Sequence, residues 1–401
     1  MTLRILMINY EYPPFGGGTG WACSRLLDEF AGFPSLEIEV VTSGPGRRVE
    51  VECPAPSTRI HRLPVHKRAD HYWRASELAE WTARAFAYSR RLTATQCFGL
   101  CHCWSGWPAG LIGLALSKRL PYMVSLRGSD VPGYNTRLRW LDPLMFRHVA
   151  RRVWGHAAHV AAVSKSLRTL ALETAPEARI DVIPNGVDTQ MFRPSAGGTA
   201  VDLLFVGRLI ERKGADTLLR AFRDLAHEHA EVTLAIAGDG PERGRLHELC
   251  RQLGLAERVT FLGHLDRCAL AECYRRASVF VLPAISDAMP NAALEAMASG
   301  LALVTTPGGA GDLVRGNGFV IAPGDPSSIR CAVERYLVDR QLLAAHRERS
   351  RALAQSMAWR TVAESVFELY RALADDGPRH RREALAVRKG AFPAQRPGNP
   401  P

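Results

Sequence analysis

Short unbroken apolar runs alternate along most of the chain with longer stretches in which apolar residues recur every three or four positions. The runs read as buried strands and the longer stretches as amphipathic helices. Strands are predicted over residues 4–9, 38–42, 59–63, 100–103, 122–126 and 160–164, and helices from about residue 21, over 76–91 and over 108–119. The pattern restarts with strands over 203–206, 232–237 and 259–262 and helices over 215–225 and 242–253. A further strand over 278–283 precedes a helix from Pro290-Asn291 that Gly300 stops. Strands that alternate with helices imply parallel sheets with right-handed crossovers. The expected fold class is α/β: two Rossmann-like doubly wound parallel-sheet domains facing across a cleft. The expected divisions are 1–187, 188–358, an amphipathic helix over 359–376, and a tail over 377–401.

The stretch from Asp287 to Glu295 sets two carboxylates across a strand-to-helix junction, one in the loop and one on the helix. Ligands of open α/β sheets sit at the carboxyl ends of their strands. Peptide N–H groups at a helix start hold phosphate, while carboxylates accept hydrogen bonds from vicinal hydroxyls. Together these point to a nucleotide sugar. Pro290 has no N–H, so the anion contacts fall to Met289, Asn291 and Ala292. After the first strand, Gly16, Gly17 and Gly18 offer bare backbone that a diphosphate can approach. This run fails the dinucleotide fingerprint, because Trp21 stands where its third glycine belongs and no acid follows the second strand at Thr42-Ser43. After the strand over 203–206, Arg208 and Lys213 can converge on a departing diphosphate and stabilise its growing charge.

These motifs resemble the retaining glycosyltransferases of family 4, which have the GT-B fold. The resemblance runs from Gly16 to about Gly324 in the family's order and rests chiefly on the acid-x7-acid signature at Asp287 and Glu295. It implies that Arg208 and Lys213 grip the diphosphate, that Glu295 takes the ribose hydroxyls, and that Asp287, where the family usually has Glu, meets the transferred sugar. It also implies that Gly16 to Gly18 abut the diphosphate, that Gly238, His264 and Gly309 wall the donor site, and that the helix over 359–376 crosses back to the first domain. On the acceptor side it brings in His102, Arg127 and Asp130, although the family more often has His-Gly where Arg127-Gly128 stands. Arg127 cannot accept a proton. The implied reaction moves a hexose from a UDP- or GDP-linked donor to an acceptor hydroxyl, with the nucleotide sugar as co-substrate and no cofactor or metal. The acceptor is a cell-surface polysaccharide or lipid-linked glycan, with a small natural product as the alternative, and a catalytically weakened nucleotide-sugar binder as the competing reading.

Composition refines this picture. At 401 residues and 47% hydrophobic content the chain can build two cores. The nine cysteines, an odd number, read as reduced thiols, and Cys97, Cys101, His102 and Cys103 lack the spacing of a metal site. The net charge is +11, of which residues 377–401 carry +5, with six basic side chains against Glu383 in a Pro-rich tail read as disordered. A nucleic-acid partner would rest on that charge alone and is not expected. Arg137, Arg139, Arg147, Arg151 and Arg152 are interleaved with apolar residues. They form either a helix lying on anionic membrane or one packed on its own domain with its arginines in water. The N-terminal apolar run is too short for a signal peptide, so the expected location is cytoplasmic, with peripheral contact at the inner membrane face under the first of those readings.

Overall fold

The protein is represented by a computed structural model that describes residues 2–68, 73–134, 146–195 and 202–375. The chain divides into two compact units. One comprises the described residues of Met1–Ala162, Arg168–Ile183 and Arg360–Pro401, and the other those of Val163–Leu167 and Pro184–Trp359.

The first unit holds β1 (Leu3–Ile8), α1 (Gly18–Phe30), β2 (Leu36–Gly44), β3 (Glu50–Ala55), β4 (Thr58–Pro64), α2 (Ala75–Thr95) and β5 (Leu100–Cys103). These are followed by α3 (Ala109–Leu116), β6 (Tyr122–Leu126), α4 (Arg147–His156), β7 (His159–Ala162), α5 (Lys165–Thr174), which belongs to this unit from Arg168 onward, and β8 (Ile180–Val182). The eight strands are ordered β3-β4-β2-β1-β5-β6-β7-β8. Ile5 to Ile8 on central β1 are wholly buried, as their unbroken apolar run demands.

The second unit begins its sheet with β9 (Asp202–Val206), α6 (Ala215–Glu228), β10 (Thr233–Ala237), α7 (Arg243–Gln252), β11 (Val259–Gly263) and α8 (Arg267–Arg276). It continues with β12 (Val279–Leu282), α9 (Asn291–Ala298), β13 (Ala302–Thr305), β14 (Gly318–Val320), α10 (Pro326–Val338) and α11 (Arg340–Gln355). Its strand order, β11-β10-β9-β12-β13-β14, is the doubly wound order that reverses direction between the first strand and the fourth. All five residues of β9 pair with β10, whereas only Leu203 and Leu204 pair with β12. The two strands therefore part toward their carboxyl ends and open a crevice at the reversal point. The last helix, α12 (Trp359–Asp375), enters the first unit from Arg360 onward. There Tyr370 meets Phe30 and Phe367 meets Phe33, so its apolar stripe is buried.

Three features differ from the sequence reading. β3 is antiparallel to β4, and its mostly exposed residues carry no apolar run to betray them. α1 starts at Gly18 rather than near Trp21, because the glycines are drawn into its first turn. α5, α8, β8, β13, β14, α10 and α11 are further elements beyond those read from the apolar pattern. In the basic stretch, Ala150, Val153 and Trp154 of α4 are buried while Arg151 and Arg152 are exposed, the arrangement of a helix packed on its own unit. Its earlier part, with Arg137 and Arg139, lies outside the described residues, as do the tail from 376 and residues 196–201. Among the described residues no helix is long and apolar enough to cross a membrane.

Candidate active site

The loops leaving β9 and β12 flank the crevice and are tied to each other. Beyond Arg208 the chain makes a short 3-10 turn over Glu211–Lys213 and then Gly214, at φ +72°, starts α6. A Cβ there would lie 2.3 Å from the Pro283 carbonyl oxygen, so only glycine lets the turn seat against the exit of β12. Arg212 donates from Nη1 to the Ser286 carbonyl at 2.6 Å, and the Ile285 N–H donates to the Arg212 carbonyl at 2.8 Å. This stitching brings the Lys213 ammonium onto Asp287 Oδ2, an ion pair whose side chains are only 12% and 14% exposed. Arg208 is exposed at the end of β9. A near-buried ammonium with one anionic partner, close to an exposed guanidinium in sequence, is suited to accept further negative charge.

The next residues follow the path of the backbone. The Asp287 N–H donates to the Gly308 carbonyl at 2.6 Å, which joins the loop before α9 to the loop after β13. Met289, Pro290, Gly309 and Asp312 line a small pocket with Ser164 and Ser166, and Asp312 Oδ2 accepts the Ser166 N–H at 2.7 Å. The Pro290 carbonyl accepts the Ala293 N–H at 3.0 Å and so begins α9, where Asn291 and Ala292 are half-buried. Asn291 Oδ1 also accepts from Asn185 Nδ2 at 2.8 Å. Gly238, at φ +138°, carries a hydrogen where a Cβ would fall 1.9 Å from the Gly207 carbonyl oxygen, so the ends of β9 and β10 close on each other there. His264 follows β11 and is exposed.

One turn into α9 stands Glu295. Burial pushes its carboxyl up to about 7, while Arg267 and a hydrogen bond from Tyr274 pull it down and Asp188 pushes it up. Tyr274 Oη lies 3.2 Å from Glu295 Oε2 and 3.0 Å from the Ala292 carbonyl oxygen. An acid that titrates near neutrality beside a helix start is the kind of group found at functional sites. Sequence reading missed Tyr274 and Arg267. Their only signal is one aromatic residue among the small and charged residues of the helix Arg267–Arg276.

The residues expected on the acceptor side fall in the first unit. Gly16 takes φ +99° and Gly17 caps α1, whose first residue is Gly18, with Gly17 and Gly18 exposed. His102 is buried, with Nδ1 2.6 Å from the Tyr370 hydroxyl and Nε2 2.7 Å from Ser125 Oγ. Burial, with Arg127 and His159 nearby, drives its pKa well down, so it is a neutral core histidine with both nitrogens engaged. Asp130 accepts the Gly106 N–H on one oxygen at 2.6 Å and the Arg127 and Gly128 N–H groups on the other at 2.9 and 2.8 Å. Its carboxyl thus organises two loops. The Arg127 guanidinium lies 3.8 Å from the Trp104 ring centroid, and burial lowers its pKa to about 10. In this structure the side chains of His102 and Asp130 are engaged in hydrogen bonds within their own unit.

Among the described residues all nine cysteines are free thiols. The grouping of Glu228, His229 and Glu334 has the residue types of a metal site, but Arg330 is paired with both carboxylates, at 2.9 and 2.6 Å.

With that geometry in place, two sequence families match the chain: "Glycosyl transferase 4-like domain" over residues 17–186 and "Glycosyl transferases group 1" over residues 187–353. A glycogen synthase of Mycobacterium tuberculosis is 27% identical over 98% of this chain and 100% of its own length. Sucrose-phosphate synthase from Thermosynechococcus elongatus shares the fold with a TM-score of 0.80 at 22% identity, covering 94% of this chain and 100% of that one. Anabaena HepE, solved in complex with UDP and glucose, does so with a TM-score of 0.69 at 19% identity, covering 92% and 100%. The two sheet units have the architecture of the GT-B fold, and the chain belongs to the group 1 glycosyl transferases, family 4.

Proposed function

We propose that the protein is a retaining, metal-independent hexosyltransferase whose donor diphosphate is held at the carboxyl ends of β9 and β12. The observation that carries this reading is the near-buried ion pair of Lys213 and Asp287 at the reversal point of the second sheet, in the loop that leads into the helix of Glu295. When the donor enters, Arg208 and Lys213 take the diphosphate oxygens, the first-turn backbone of α9 assists, and Glu295 accepts the ribose hydroxyls. Asp287 keeps Lys213 in place and meets a hydroxyl of the hexose. As the glycosidic bond lengthens, negative charge grows on the diphosphate and positive charge on the sugar ring. The two cations stabilise the former in a setting where fixed charges act more strongly than in water. The acceptor hydroxyl attacks from the face the diphosphate leaves, and a diphosphate oxygen takes its proton, so no protein nucleophile is needed.

HepE was solved with UDP and glucose, which supports a nucleoside diphosphate hexose as the donor here. The acceptor in this reading is a glycan or lipid-linked glycan, with a small natural product as the alternative. The test is a panel of UDP- and GDP-hexoses assayed for donor hydrolysis and transfer with and without EDTA, with the product anomer read by NMR. Turnover of one donor, insensitive to EDTA and with the anomeric configuration retained, is the expected result. An inverted product or an absolute metal requirement overturns the reading.

A further inference from the structure

Tyr274 is fully buried, and its ring packs edge-on against Phe192 at 5.6 Å and tilted against Phe280 at 6.3 Å. A phenylalanine would satisfy that packing, and a buried hydroxyl is costly unless it is bonded. Its oxygen reaches two acceptors, the Ala292 carbonyl and Glu295 Oε2, with a single proton to give. The Ala292 carbonyl, inside α9, already receives a backbone N–H from the next helical turn. Glu295 is thus the partner for which the hydroxyl matters.

We propose that Tyr274 is a positioning residue for donor binding, its hydroxyl fixing Glu295 Oε2 so that the remaining carboxyl oxygen is held ready for the vicinal hydroxyls of the donor ribose. This rests on the proposed role of Glu295. The arrangement holds in either protonation state. An ionised Glu295 accepts the phenol proton; a protonated Glu295 donates to the phenol oxygen, and the phenol donates to the Ala292 carbonyl. The carboxyl is held before the donor arrives, which spares the ordering cost on binding.

The experiment titrates wild type, Tyr274→Phe, Glu295→Gln and the double variant with UDP and GDP, and with the 2′-deoxy form of whichever binds. Tyr274→Phe should weaken the ribonucleotide by about threefold to tenfold, the worth of one hydrogen bond, and leave the deoxy form nearly unchanged. It should raise donor KM with kcat near wild type and have no further effect in the Glu295→Gln background. Equal weakening of both nucleotides, or an undiminished effect in that background, overturns the proposal by showing a structural role alone. Unchanged ribonucleotide affinity in Tyr274→Phe, with loss in Glu295→Gln, overturns the positioning role and leaves the donor reading intact. Unchanged affinity in Glu295→Gln overturns the donor reading itself. Should Tyr274→Phe not fold, 3-fluorotyrosine at position 274 keeps the ring and strengthens the donor. It should then raise the preference for ribose over deoxyribose, and an unaltered preference overturns the proposal.

Discussion

Replacing Lys213 with alanine is the sharpest probe of the crevice. The ammonium is 12% exposed and paired with Asp287, which is 14% exposed, so its removal acts in two ways. It deletes a fixed cation from the developing diphosphate charge, a loss on the order of 3–4 kcal/mol, or about a hundredfold to a thousandfold in turnover. It also leaves the Asp287 carboxylate unpaired and largely out of water. Breaking a fully buried pair costs roughly 3–5 kcal/mol, and the residual exposure here scales that to about 1–3 kcal/mol of stability. The double variant Lys213→Ala with Asp287→Ala removes the orphaned charge. Its stability should recover to within about 1 kcal/mol of wild type, because a charge pair replaced as a unit is close to neutral. Its turnover should stay low. The assay pairs steady-state kinetics on the donor with urea denaturation of each variant. A Lys213→Ala enzyme within about tenfold of wild-type kcat/KM, or a double variant with restored turnover, refutes the role assigned to the lysine.

Other perturbations probe the surrounding framework. Glu295 titrates near 7 in the folded chain against an ordinary value of 4.5, so its contribution to stability is full below about pH 4.5 and is lost as pH rises through 7. Glu295→Gln should flatten the pH dependence of the unfolding free energy from urea titrations between those values by about 1–2 kcal/mol, screening at a half-buried carboxyl keeping it below the unscreened shift. Asp130→Ala, which orphans the N–H groups of Gly106, Arg127 and Gly128, should lower unfolding free energy by roughly 2–4 kcal/mol in urea titrations. Gly238→Ala, forcing a Cβ to 1.9 Å from the Gly207 carbonyl oxygen at φ +138°, should cost about 2–4 kcal/mol and lower the melting temperature. Tyr370→Phe should cost about 1 kcal/mol by freeing His102 Nδ1 while leaving donor hydrolysis unaltered, since that pair serves the core.

Much of the second unit was legible because its chemistry is local in sequence. The apolar run of β12, the turn through Asp287, the helix with Glu295 and the stop at Gly300, φ +74°, are contiguous, so strand period, helix period and glycine punctuation fix each other. Lys213 was legible by its spacing from Arg208, but its partner was not, because Asp287 lies 74 residues away and the pairing depends on where β9 and β12 part. The first unit shows the opposite case. His102 lies near the carboxyl end of β5 and Asp130 in the loop after β6, where a sequence suggests exposure to ligand. Burial and partners from distant segments, Tyr370 above all, turn the former into a core group. Edge strand β3 was missed for a simpler reason: the alternation of Val51 and Cys53 with Glu50 and Glu52 is brief, and its residues are nearly all exposed, so it forms no apolar run. Tyr274 escaped notice because a lone aromatic in a short helix looks like an anchor for packing, and its polar end acquires meaning only beside Glu295.

The central claim is that the donor diphosphate binds where β9 and β12 separate. A crystal structure of the protein with bound UDP or GDP, whichever the donor panel selects, tests it directly. The account predicts phosphate oxygens at about 3 Å from the Lys213 ammonium and the Arg208 guanidinium, with the ribose hydroxyls on Glu295. A nucleotide seated elsewhere, or one that leaves both cations without a phosphate contact, contradicts it.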